Sequence, residues 1–479
     1  MNRAVITPQK PRVSQYGVDP KYITKRVSEY PEMTSIVLKD LFPDTPEVIY
    51  PGEKGVPAVR EAAEKALEKV DMSMIKPGDS VNVCASHHGF TLLGGEPYAE
   101  LLRAVRDVIV RKTGTENVRL RAGVGLRFRE TEEYMKSFKL DEYYKGKVKG
   151  VAPVDEGIPI ETEIGTLYGI KAVYDADWIV HVHNSDVREV HFHRQVDRAV
   201  KPFGMSYARI ETRSTYHQNL GPRAANFVAR SIFASEFVQK KFAFAAFLDM
   251  SPSGVVGVDA DNDLYALNDR VTVGGCKNYG KIMTLLGEID ECIAALDFPC
   301  PVPYVFAAGV IYANFTGANM DLFDLDVPLP PYTWYTEAFY GKNGPLVKDV
   351  PPVNPAIKMA VHNYAWGGYP SAFFSEHIPT VVVGREQAEV MNRDPQNIEY
   401  MSCSVVADSL DAAMKFAYHT AKTDKVIIFD GAAGGINVSE SLAKLLKEKA
   451  PQVNKLVDEE LLPKWLRQRG VDPAIIQKS

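Results

Sequence analysis

The stretch that decides the fold is DSVNVCASHHGF (79–90), followed by YAELLRAVRDVIVRK (98–112) and NVRLRAGVGL (117–126). The first segment is a short apolar run that stops in polar residues, as a strand entering a loop does. The second spaces leucine, valine and isoleucine at three- and four-residue intervals among strong helix formers, which predicts an amphipathic helix. The third is again strand-like. Strand, helix and strand in that order predict two parallel strands in one sheet with the helix across a face. Functional side chains in such sheets collect at the carboxyl ends of the strands, here Ser86-His87-His88-Gly89.

Working outward, AVREAAEKALEKV (58–70) has helical spacing, and strands are expected near 162–168 and 177–183 (DWIVHVH). Residues 184–217 are polar and irregular. The pattern predicts a helix over 223–248, strand and turn over 262–273, and a helix over 279–296. A proline-rich section at 325–355 reads as a domain junction or crossing loop. Beyond it IKMAVHNYAWGGYP (357–370), IPTVVVG (378–384) and KVIIFDGAAGG (425–435) are strand-then-loop segments, with a helix over 409–421 and a helical, charged tail after 450. A chain of 479 residues is too long for one core. The expected architecture is α/β: two α/β domains with largely parallel sheets flanked by helices, and an active site in the cleft between them. The expected divisions are an arm over 1–45, an N-terminal domain over 46–315, a smaller domain over 316–455 and a tail over 456–479.

Apolar residues make up 46%, charged residues 24%, and the formal charge is −6, with lysine and arginine interspersed among acids. No basic block speaks for nucleic acid or an anionic membrane as a partner. The five cysteines are scattered and form no C-x-x-C pair, so a reducing compartment is expected rather than a disulfide framework. No uninterrupted apolar run approaches the ~20 residues that span a bilayer. These features predict a cytoplasmic protein, with a homo-oligomer left open.

Five of the ten histidines fall between 181 and 217: His181, His183, His191, His193 and His217. Imidazole is the usual neutral-pH acid, base and metal ligand, so this crowding marks a candidate site. Each one taken alone is as readily a structural histidine bonded to a backbone carbonyl. His87 and His88, in what reads as an exposed loop, have no packing reason to be there. Arg127 and Arg129 suit a carboxylate or phosphate, or simply form a solvated strand end. GAAGGIN (431–437) lacks the spacing of a phosphate loop and reads as a plain turn. Trp334 and Trp366 read as packing residues before pocket walls.

From about Val81 to Leu220 the sequence resembles the nickel-pincer-nucleotide lactate racemase family, most specifically in the His191–His217 block. GTLYGIKAVYDADWIV (165–180) and IETRSTYH (210–217) are similar to the family's flanking segments, and AGVGLRFRETEEY (122–134) to its upstream block. Its histidine, lysine ten residues on and histidine sixteen further are matched by His191, Lys201 and His217. The resemblance implies that Lys201 carries a nickel-pincer nucleotide as a thioamide, that His217 is a nickel ligand, and that His191 transfers a proton. Ser86 and Arg198 fall among the implied cofactor-binding positions. Cofactor-synthesis proteins are then implied partners, and the implied activity is racemisation or epimerisation of a 2-hydroxy acid by hydride and proton transfer.

Departures from the family fall on substrate contacts. Its carboxylate-anchoring arginine falls on Gly89 and its second catalytic histidine on Arg127, while Arg198-Ala199-Val200 replaces a Gly-Gly-Ala run. Gly89 is expected to vacate volume, with His87 and His88 adding polar contacts, so a substrate larger than lactate is expected. Two other readings remain: a zinc- or iron-dependent hydrolase or lyase using His181, His183, His191 and His193, and a non-catalytic ligand-binding homologue.

Overall fold

The computed structural model describes residues 20–50, 55–90, 92–123, 130–185, 199–215, 225–298, 315, 321, 323–326, 354–365, 378–392 and 404–478. Its strands in chain order are β1 (Met33–Val37), β2 (Val81–Ser86), β3 (Val118–Gly123), β4 (Val148–Val151), β5 (Gly157–Thr162), β6 (Gly165–Ile170), β7 (Trp178–Asn184) and β8 (Phe242–Ser251). They continue as β9 (Gly254–Asp261), β10 (Cys292–Phe298), β11 (Ile357–Ala365), β12 (Thr380–Val383), β13 (Val405–Ala407), β14 (Val426–Phe429) and β15 (Gly435–Ser439).

Two sheets organise the chain. A six-stranded sheet runs β4-β3-β2-β7-β8-β9, parallel except for the final antiparallel β8–β9 pair. A seven-stranded sheet runs β1-β15-β14-β10-β11-β12-β13, parallel from β14 to β13 and antiparallel at β15 and β1. The mostly parallel, helix-flanked α/β class is therefore as expected. The helices Val56–Glu68 and Glu96–Thr113 also lie where their spacing predicts. Among the described residues no helix is long and apolar enough to cross a membrane.

Three stretches differ from expectation, two of them for one physical reason. The helix expected over 223–248 stops at Ala234; Ser235 caps a further turn by accepting from Val238 N, and the chain becomes β8. Inside the parallel sheet β8 is buried on both faces, with Phe244, Ala246 and Leu248 on one side and Ala245 and Phe247 on the other. A strand apolar on both faces loses the period-two signal and reads like a buried helix. β10 is misread the same way at 292–298. Between them, the expected strand and turn at 262–273 is the start of a 23-residue helix, Leu264–Leu286, capped by Asp263, whose carboxylate accepts from Tyr265 N and Ala266 N.

Gly280 inside that helix serves packing. A Cβ there would stand 2.5 Å from the Trp465 ring. Trp465 is fully buried and fixed by its indole N–H, which donates to Asp321 Oδ2 at 2.8 Å. The residues after β1 and the β8–β9 turn join the sheets: Leu38 N donates to Gly434 O, Gly434 N to Pro252 O, and Ile49 N to Val255 O. β1, from the expected arm, is thus an edge strand of the seven-stranded sheet.

Gly280→Ala is expected to destabilise the protein by about 1–3 kcal/mol, because the ring cannot retreat. Gly274→Ala in the same helix meets nothing within 4 Å and is expected to stabilise by about 0.5–1 kcal/mol. Urea melts of the two variants check the pair; equal effects would refute the packing account.

Candidate functional site

Side chains alternate along a strand, so His181, His183 and Ser185 of the β7 segment share one face of the six-stranded sheet. Cys84 and Ser86 of β2 join them, as do Ala245, Phe247 and Asp249 of β8. His181 and His183 are almost fully buried and each has a fixed hydrogen-bond partner. Tyr207 Oη donates to Cys84 O at 2.9 Å and lies 2.8 Å from His181 Nδ1. With its one proton committed, the hydroxyl accepts from Nδ1–H, which sets the His181 tautomer. Phe203, Tyr207 and Phe247 surround that ring at 5.3–5.5 Å. His183 Nδ1 accepts from Asn184 N at 2.8 Å, leaving Nε2–H to donate to Ser86 Oγ at 3.3 Å. Tyr98 closes the other side: its hydroxyl donates to Val182 O at 2.7 Å and accepts from Ser86 N at 3.2 Å. Burial pushes the Cys84 thiol well up, so it is a packing group and no nucleophile.

Lys201 opens the short helix Lys201–Gly204, where Pro202 takes the next position without losing a needed N–H. The lysine is 9% exposed, beside the fully buried Ala199, Val200 and Phe203. Two glycines let this turn approach. Gly204 packs on Ala229, 3.3 Å from its would-be Cβ. At Gly123, the carboxyl end of β3, a Cβ would fall 2.2 Å from Ser206 O. The lysine turn therefore lies over the carboxyl ends of β3 and β2, on the face that carries His181 and His183.

Of the sequence-derived candidates, the structure brings Ser86, Lys201, His181 and His183 to this end of the sheet. His87 and His88 are not in an exposed loop: they open the one-turn helix His87–Phe90, His87 is buried, and the two rings lie 4.5 Å apart, tilted by 38°. The volume expected at Gly89 is filled, since a Cβ there would stand 2.4 Å from the Tyr98 ring. Glycine is required by that ring and leaves no room for substrate. Arg127, Arg129, His191, His193, Arg198 and His217 lie outside the described residues, as do Trp334 and Trp366. Gly431 and Gly434 take φ of +76° and +78° in the β14–β15 connection, so GAAGGIN is the turn it was read as. Among the described residues no group of three or more His, Cys, Asp or Glu is arranged to hold a metal.

Sequence reasoning missed Tyr98, Tyr207, Ser185 and Asp249. Ser185 and Asp249 had a signal, because Ser185 continues the 181, 183 alternation. Tyr207 had none, since nothing local marks a loop tyrosine that reaches two strands.

No family model matches the chain, and no curated protein matches it in sequence. Among solved structures, the lactate racemase apoprotein from Thermoanaerobacterium thermosaccharolyticum aligns over 78% of this chain and 92% of its own, at 15% identity and a TM-score of 0.44.

Proposed function

We propose that the chain is an isomerase of the lactate racemase kind, inverting the carbinol carbon of a 2-hydroxy acid. The observation that carries this reading is the setting of Lys201, a lysine 9% exposed among apolar side chains at the carboxyl ends of parallel strands. Its distances in sequence to His191 and His217 support the same reading. An amine so desolvated suits acylation, the bond through which a nickel-pincer nucleotide would be held. In this reading His217 is the nickel ligand, and Ser86 and Arg198 meet the nucleotide's polar groups. When bound, the nucleotide supplies a pyridinium carbon that accepts hydride. His191 moves the hydroxyl proton of the substrate. Arg127 stands where the family has its second catalytic histidine and faces the substrate from there. Cofactor-synthesis proteins are the partners this chemistry calls for, in a cytoplasmic setting.

Lys201→Met keeps a buried stem but removes the amine. After co-expression with cofactor-synthesis proteins, wild type is expected to show an intact-mass adduct and bound nickel, and the variant neither, with little change in melting temperature. An adduct retained in Lys201→Met would refute the assignment.

Substrate choice gives a second expectation. Gly89 offers neither a guanidinium nor free space, so one charge-assisted bond to a small carboxylate, roughly 1.5–3 kcal/mol, is missing. Loaded enzyme is expected to racemise lactate at least about tenfold more slowly than a 2-hydroxy acid bearing further hydroxyls, read by chiral chromatography. Lactate as the best substrate would mean that another arginine fully replaces that bond.

A further inference from the structure

Asp249 stands on β8 beyond Phe247, on the face that bears His181, His183 and the lysine turn. Ser185 Oγ donates to its Oδ1 at 3.1 Å, and the same hydroxyl accepts from Met250 N at 2.7 Å, which fixes its direction. The β8–β9 register shifts between Asp249 and Met250, a bulge of the kind that re-aims a side chain at a strand end. Across the ladder Asp249 pairs with Gly257, and the space a Cβ would enter there is empty to 4 Å. Paired residues of antiparallel strands share a face, so this open volume adjoins the carboxylate. His181 and His183 are sealed beneath it, whereas Asp249 is only partly buried.

Burial pushes the Asp249 carboxyl up to about 6; the Ser185 hydroxyl pulls it down, the Asp259 carboxylate on β9 adds to the rise, and Met250 N opposes it. Asp259 is itself paired with Arg270 of the helix Leu264–Leu286, Nε to Oδ2 at 2.7 Å. A carboxyl that titrates near neutrality is suited to cycling a proton.

We propose that Asp249, oriented by Ser185, is a proton-transfer residue that takes the hydroxyl proton of a substrate entering the space beside Gly257. The proposal rests on the racemase reading and adds to it: His191 serves one hand of the substrate and Asp249 the other, the place of the second proton-transfer residue that the Arg127 position lacks. In the step, the substrate O–H bond breaks and its proton passes to a carboxylate oxygen of Asp249. The C–H electron pair leaves as hydride to an acceptor of the pyridinium class, and the C=O bond forms. Substrate is oxidised and the acceptor reduced; the return delivers hydride to either face of the ketone and the proton back to oxygen. Ser185 acts as a positioning residue.

Two arms test this. The first needs no cofactor: difference infrared titration of the purified chain against Asp249→Asn. A carboxylic acid carbonyl band with a midpoint near pH 6 is expected, absent in the variant and shifted to higher pH in Ser185→Ala. A midpoint in the ordinary range near 4, or no shift in Ser185→Ala, overturns the proposal. The second uses loaded enzyme and chiral chromatography across lactate, 2-hydroxybutyrate, malate and gluconate. Asp249→Asn is expected to keep its adduct mass and nickel yet lose at least about 100-fold in kcat, together with the acidic limb of the pH profile. Gly257→Val is expected to raise KM and, by burying the carboxyl further, to move the infrared midpoint up. Activity of Asp249→Asn within threefold of wild type overturns the proposal. Wild type without an adduct refutes the Lys201 reading instead, and the infrared arm then decides whether Asp249 is a proton-holding site.

Discussion

The constraint on which the structure depends is that β7 is buried on both faces yet carries two imidazoles, an amide and, just past its end, a hydroxyl. A buried polar group without a hydrogen bond costs about 1–3 kcal/mol, so each must find a partner across the sheet or from the covering layer. Those partners set the local architecture. Tyr207 has to reach down to His181 and Cys84 O, which draws residues 201–207 over the strand ends and requires glycine at 123. Ser86 has to meet His183, and Tyr98 has to hold Ser86 N and Val182 O, which presses its ring onto Gly89. The position of the lysine turn follows from satisfying β7.

How much of this was legible in the sequence follows from the same physics. β2, the helix Glu96–Thr113 and β3 were readable because the helix has one wet face and so keeps its period. β8 and β10 were not, since burial on both faces erases alternation. At the site, residue types were legible and their surroundings were not. The pairing of His87 with His88 was visible, but the burial of His87 depends on helix packing far along the chain. The glycine at 89 was visible too, but the ring that fills its space comes from Tyr98.

The two sheets treat their carboxyl ends differently. In the seven-stranded sheet the chain leaves β10 toward β11, β12 and β13, then returns on the other side as β14, so the order reverses between β10 and β14. Such a switch point ordinarily opens a crevice for a ligand. Here it holds Asp297 and, next to it, Asp430 after β14. Burial pushes the Asp297 carboxyl up to about 6, against the pull of Arg26 and of hydrogen bonds from Val27 N and Asn363. Arg26 Nε stands 2.9 Å from Asp297 Oδ1, Val27 N donates to Oδ2 at 2.8 Å, and Asn363 Nδ2 donates to Oδ1 at 2.8 Å.

The chain's own N-terminal segment thus supplies the guanidinium and amide that a ligand would otherwise bring to that crevice. Removing Arg26 would leave a buried carboxylate without its charge partner, so the plug is built into the stability of the sheet. At the six-stranded sheet the opposite choice was made. There Asp249 is met by the Ser185 hydroxyl and by Met250 N and faces a glycine, with no cation bonded to it among the described residues. Burial pushes both carboxyls up to about 6, so the difference between them is access: Asp297 is enclosed by Arg26, Val27 N and Asn363, whereas Asp249 adjoins the open volume beside Gly257. Since Pro252 O, at the end of β8, accepts from Gly434 N in the turn after β14, the plugged and the open ends lie on neighbouring segments of the fold.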